Sequence, residues 1–253
     1  MRHSLVKINK DTVEKTAAPE LMRVEVEKTH RACQIGKDSG LFTAPEVLDY
    51  DDQKGLAVFQ RLPIKPMSGA FTWGKEKISA AACLGRALAV IHRELVLPDN
   101  MKTPLPEVLS FPRDEVFFHG DLSVSNVCVG ERKTQIIIID WQMTPLHGGR
   151  STYGTRYFDI MWFISNLILR PDMRFLYSNP VDPVIRAFLN AYLNAAEFAY
   201  NPDTAATYAA MFFANEMPRS RNEILQYSIV KSRLLLPFSE AILKSFLKSL
   251  KMM

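Results

Sequence analysis

The chain has 253 residues, 47% hydrophobic and 23% charged, a balance that excludes a disordered or fibrous protein and suffices for a large packed core. A net charge of +4 without a basic block argues against nucleic acid as a partner and permits only weak attraction to anionic ligands. Cys33, Cys83 and Cys128 are scattered, odd in number and lack zinc-ligand spacing, so a reducing, cytoplasmic setting fits them.

The opening MRHSLVKINK is too polar for a signal peptide, and no apolar run reaches the ~18 residues of a membrane span. SLVKI and TVEKTA read as short strands around the turn NKD. PELMRVEVEKTHRACQIG follows as a helix, with Pro19 near its start and Gly36 at its end. PEVLDYDDQKGLAVFQRL reads as strand, acidic turn, strand. PIKPMSG, from Pro63 to Gly69, breaks regular structure and begins the connection to a second part of the chain. In KEKISAAACLGRALAVIHREL, Ile78, Ala82, Leu88, Ile91 and Leu95 recur at helical spacing, which predicts a core-facing helix. NVCV and QIIIID flank GERKT as a β-hairpin, and the chain after Arg170 reads as mostly helical.

That hairpin carries the chemistry. In FFHGDLSVSNVCVGERKTQIIIIDWQ, Asp121 and Asn126 precede it and Asp140 ends it. A hairpin brings its two ends together, so the three side chains can converge. Hard oxygen ligands of this kind suit Mg2+, which binds through one or two carboxylates and substrate phosphates. A further Asp beside the metal can accept the proton of an attacking hydroxyl. Singly, each residue would be an ordinary turn cap or strand end. Together they follow the order and spacing of a kinase catalytic loop and its metal-binding Asp.

HGDLSVSN with IIDW resembles the aminoglycoside phosphotransferase and choline kinase-like branch of the protein kinase-like superfamily. YFDIMWF around Asp159 and LGRALAVIHREL extend the likeness, which covers about residues 13–170 and is strongest over 117–163. The resemblance implies an α+β, two-lobed kinase-like fold. Residues 1–62 would form a small nucleotide-binding sheet lobe, and residues 63–253 a larger helical lobe for catalysis and acceptor binding. Asp121 would be the catalytic base, Asn126 and Asp140 would hold Mg2+ between the phosphates of ATP, and His119 and Asp159 would support the loop. A strand Lys paired with a helical Glu is also implied. Lys15 is the strand candidate. Glu25 is favoured over Glu27, because its neighbours at i+4 and i+7, Thr29 and Ala32, continue the less polar face. Gln60, Arg61 and Leu62 in VFQRLPI match the segment that meets adenine.

The sequence departs from the pattern upstream, where no glycine precedes Gly36 and INKDT must stand in for a glycine-rich phosphate loop. GAFTWGKE, from Gly69 to Glu76, nearly matches a P-loop but puts a carboxylate where a hydroxyl should bind Mg2+. His30 and His92 read as helix-surface or core residues. His147, Arg150, Tyr153 and Arg156 lie in a basic loop, by default solvated, that could contact an anionic acceptor. The last helix, EAILKSFLKSLKMM, has an apolar face suited to core packing; it would also suit a membrane surface. The expected function is ATP- and Mg2+-dependent transfer of the γ-phosphate to a hydroxyl of a small molecule. The alternative is a nucleotide-binding, pseudokinase-like module acting through protein partners.

Overall fold

The computed structural model describes residues 5–67, 75–130, 135–147, 149–169 and 182–227, and near the C terminus 240–241, 243–248 and 250. The chain opens as an antiparallel hairpin, β1 (Leu5–Ile8) and β2 (Thr12–Thr16), whose turn is closed by the Asn9 amide on Thr12 Oγ1 and Glu14 Oε1. Helix α1 (Pro19–Ser39) follows, with Pro19 at its first turn. It ends one turn later than Gly36 suggested. Gly40, at φ +66, takes the left-handed cap, where glycine carries no Cβ penalty. Gly36 instead admits the next loop, since a Cβ there would come within 2.6 Å of the Phe42 carbonyl oxygen.

Strands β3 (Val47–Asp51) and β4 (Leu56–Gln60) complete a four-stranded sheet in the order β1-β2-β4-β3. Met22 and Val26 of α1 pack on Ala57 and Phe59 of β4, forming a small core of their own. The stretch after residue 62 is not wholly irregular. β5 (Lys65–Pro66) pairs with β7 (Val127–Val129), and β7 with β8 (Ile136–Ile138). A proline is tolerated there because the strand lies at the sheet's edge.

The larger core is helical. Helix α2 (Lys75–Glu94) buries Leu84, Leu88 and Ile91. It lies along α4 (Asp182–Ala195), close enough at Gly85 that a Cβ would meet the Phe188 carbonyl oxygen at 2.3 Å. Helix α3 (Tyr157–Leu169) is buried along its whole length, which explains its almost continuous apolar sequence. It follows the two-stranded ribbon of β6 (Glu115–Phe117) and β9 (Tyr153–Thr155). Helix α5 (Pro202–Tyr227) runs through Pro218. Phe212 and Phe213 before that residue anchor the helix in the core. Of the final helix, Leu243, Phe246 and Leu250 are buried, in accord with core packing. Ile242 and most of the P-loop-like stretch, residues 69–74, lie outside the described residues. Among those described, no helix is long and apolar enough to cross a membrane.

Candidate active site

The β7–β8 hairpin pairs Val127 with Ile138 and Val129 with Ile136, and all six of its residues are buried. Thr43, in the loop after α1, bonds the Ile136 carbonyl and the Ile138 N–H at 2.9 Å each, which fixes the strand sideways. Two residues past β8 the chain turns at Asp140, whose φ of +58 lies in the left-handed region. A non-glycine residue held there is strained, and such strain collects where a side chain must be aimed. Trp141 anchors the turn. It is buried, donates to the Ile138 carbonyl at 3.2 Å and packs on His119, with ring centroids 4.6 Å apart. The Asp140 carboxylate, by contrast, is 42% exposed and faces a cleft of about 800 Å3.

The loop from His119 to Asn126 is held from below. Asp159, in the first turn of α3 and fully buried, accepts the His119 N–H at 2.7 Å and the Gly120 N–H at 2.9 Å. Its Oδ2 also lies 3.3 Å from His92 Nε2, while His92 Nδ1 meets the Tyr192 hydroxyl at 2.9 Å. Burial alone would raise the Asp159 carboxyl, but the hydrogen bond from His92 and that from the Gly120 N–H act against it, and the carboxyl lies below its usual range. Burial lowers His92, which is therefore neutral, donating to Asp159 and accepting from Tyr192. His119 is also buried. Its Nε2 lies 3.1 Å from the Ile139 carbonyl and its Nδ1 accepts the Asp121 N–H at 3.1 Å. Burial pulls its pKa down to about 4, which suits a neutral ring with one donor and one acceptor nitrogen. Asp121 receives a donor on each oxygen. Trp162 Nε1 reaches Oδ1 at 2.7 Å, and Asn126 Nδ2 reaches Oδ2 at 3.0 Å.

Across the cleft, Lys15 of β2 lies 2.8 Å from Glu25 Oε1 and 2.6 Å from Asp140 Oδ1. Lys15 and Glu25 are buried. Burial would lower the Lys15 ammonium, but the charges of Glu25 and Asp140 raise it, so it stays protonated. Glu27 points the other way, to Arg31 at 2.8 Å on the helix surface. The apolar cleft wall includes Val6, Ile8, Val13 and Phe59, and Gln60, Arg61 and Leu62 line its far end. The backbone N–H groups of Gln60 and Arg61 are already engaged, by the carbonyls of Glu46 at 2.8 Å and Asp11 at 3.0 Å.

Lys15, Glu25, Gln60, Arg61, Leu62 and Asp140 thus line one cleft, and His119, Asp121, Asn126 and Asp159 are joined by hydrogen bonds within the neighbouring loop, while Glu27 lies away from both. Three contributors gave no sequence signal of their own: His92, expected as mere packing, Tyr192 and Trp162. Their contacts span 67, 100 and 41 residues of chain. The loop after Asp140 is also less solvated than expected. His147 is half-buried against Trp162, with its Nε2 3.1 Å from Glu216 Oε1. Arg156 stacks on Phe198 and bonds the Tyr192 hydroxyl at 3.4 Å, and Tyr153 sits beneath Lys102. Only Arg150 of the four is well exposed, 3.6 Å from Glu20.

The sequence model of the phosphotransferase enzyme family (APH) matches residues 94–206. Among solved structures, the fold is similar to a choline/ethanolamine kinase family protein from Mesorhizobium loti, at TM-score 0.55 and 16% identity over 99% of this chain and 90% of that one. It is similar to the amicoumacin kinase hAmiN, solved with AMP-PNP and Ca2+, at TM-score 0.58 and 15% identity over 96% and 88%. An aminoglycoside phosphotransferase from Streptomyces rimosus, solved with ADP and streptomycin, aligns at TM-score 0.52 and 12% identity over 79% and 85%. No curated protein sequence matches. The chain thus shares the fold of these kinases, a small antiparallel sheet with a larger helical part, and its middle matches the phosphotransferase family model, in line with the resemblance.

Proposed function

We propose that this protein is a small-molecule kinase, transferring the γ-phosphate of ATP to a hydroxyl in a Mg2+-dependent reaction. The observation that carries the reading is the chain of contacts from Glu25 through Lys15 to Asp140 at one cleft, at the end of the hairpin that Asp121 and Asn126 precede. The nucleotide-bound relatives of the same fold support it. On this reading residues 1–62 bind the nucleotide, and residues 63–253 supply the catalytic loop and the acceptor site.

Each group then has a task. The apolar wall of Val6, Ile8, Val13 and Phe59 takes the base, and Lys15 pairs with phosphate oxygens. The donor set fits a hard divalent cation. Asp140 presents an exposed carboxylate to the cleft, and Asn126 spends its amide nitrogen on Asp121, which leaves the carbonyl end of that amide as a ligand. Mg2+ bound by Asn126 and Asp140 would neutralise phosphate charge. Asp121, held by Trp162 and Asn126, orients the acceptor hydroxyl and takes its proton. The rest of catalysis is positioning.

The test is ADP release across a library of sugars, amino alcohols and aminoglycosides. Wild type should turn over at least one acceptor, and Asp121→Ala should lose about 1,000-fold or more of that rate. Equal rates would remove Asp121 from the chemistry. The glycine-free turn at Asn9–Asp11 favours a second reading, a pseudokinase-like module that binds nucleotide without transferring phosphate and acts through protein partners. It predicts a thermal shift with Mg-ATP and no turnover with any acceptor.

A further inference from the structure

Lys28 has no part in the scheme above, yet it is completely buried, one turn along α1 from Glu25. An ammonium taken out of water must be paired to be tolerated. Its Nζ donates to the carbonyl of His119 and lies 5.9 Å from the centre of the Phe118 ring. Burial lowers it to about 8, and the charges of Asp159, Glu25, Asp140 and Asp121 oppose that fall.

The bond to His119 reaches further than a simple anchor. The peptide that contributes this carbonyl contributes, on its other side, the Gly120 N–H that Asp159 Oδ1 accepts at 2.9 Å. One peptide plane is thus gripped by a cation at its oxygen and an anion at its nitrogen. The plane precedes Gly120, whose φ of +94 only glycine adopts readily and where peptide rotation is easiest. A Cβ at Gly120 would lie 3.1 Å from Met143 Cα and Sδ, so the backbone cannot be stiffened there by a side chain. Asp121 is the next residue. Rotation of this peptide would carry Asp121 away from Trp162 and Asn126.

We propose that Lys28 is a positioning residue: its ammonium locks the His119–Gly120 peptide and so ties α1 to the orientation of Asp121. The inference rests on the phosphotransferase reading. It makes the Lys15–Glu25 pair and the catalytic loop move as one, since α1 carries both Glu25 and Lys28.

The experiment compares wild type, Lys28→Met and Lys28→Gln by ADP release from Mg-ATP, nucleotide Kd and the NMR signal of the Gly120 amide. Lys28→Met should slow ADP release about tenfold or more at saturating nucleotide, because a misaimed group costs rate rather than binding. Its Kd for Mg-ATP should change less than about twofold. The Gly120 amide proton should move toward the random-coil range. Lys28→Gln keeps an N–H donor and should recover part of the rate and of the amide shift. It also carries the test should Lys28→Met fail to fold. A folded variant whose Gly120 amide and rate match wild type overturns the lock and leaves Lys28 as packing. Absence of ADP release from wild type would sink the phosphotransferase reading, and the amide signal would still decide the lock.

Discussion

The two sides of the cleft are held in different ways. On the sheet side a single lysine contact carries the arrangement, Lys15 to Glu25, and β1 beside it is exposed at all four residues. On the helical side Asp159 and Asp121 are each held more than once. Asp159 gathers two backbone donors and His92, while Asp121 is held by both Trp162 and Asn126. Under the proposed function, redundant anchoring suits the side that would fix a reacting hydroxyl within a fraction of an ångström. Sparse anchoring suits the side that would admit and release a nucleotide.

Removing the hub of the rigid side is the severest way to break this contrast. Asp159→Ala leaves the His119 and Gly120 N–H groups and His92 Nε2 unpaired in the core, and should cost about 3–5 kcal/mol in urea denaturation. An acid titration sharpens it. His119 has a folded pKa of about 4 against an ordinary 6.5, so below pH 6.5 the unfolded chain binds a proton that the folded chain refuses. Stability should be full above pH 6.5 and fall as pH drops toward 4, by up to about 3 kcal/mol from this residue. His92, lowered by burial too, adds to the same slope. Chemical denaturation at pH 7 and pH 4.5 checks the sign. Trp162→Phe keeps the ring stacked on Phe158 but deletes the donor to Asp121. We expect about a tenfold loss of kcat with a stability change near 1 kcal/mol. On the sheet side, Glu25→Gln should weaken Mg-ATP binding severalfold by isothermal titration and leave kcat at saturation less affected. At the surface, Arg23→Ala removes an exposed pair with Asp52 and should leave the denaturation midpoint where it was.

How much could be read in advance follows from the same contrast. Asp121, Asn126 and Asp140 share one hairpin, so spacing along the chain implies nearness in space. Glu25 and Glu27 could be told apart because a helix sorts its faces by period, and burial follows the less polar face. Nothing comparable points to Trp162 or Tyr192. Each is an apolar-looking residue in an apolar helix, and its polar tip matters only once a distant segment is packed against it. His92 and Lys28 fail for the complementary reason. Each looks like an ordinary helix residue until burial commits it to a partner 67 or 91 positions away. Gly36 misled because a glycine near a helix end serves either as a cap or as a place of close approach, and only the neighbouring chain decides which.

Lys15 spans Glu25 and Asp140 with one ammonium, and under the proposed function this makes the binding of the two cofactors reciprocal. A free metal ion meets an Asp140 whose charge is already offset. A nucleotide that draws Lys15 onto its phosphates releases Asp140 for the cation. Metal should therefore bind weakly alone and more tightly beside nucleotide, and by linkage nucleotide must gain from metal by the same factor.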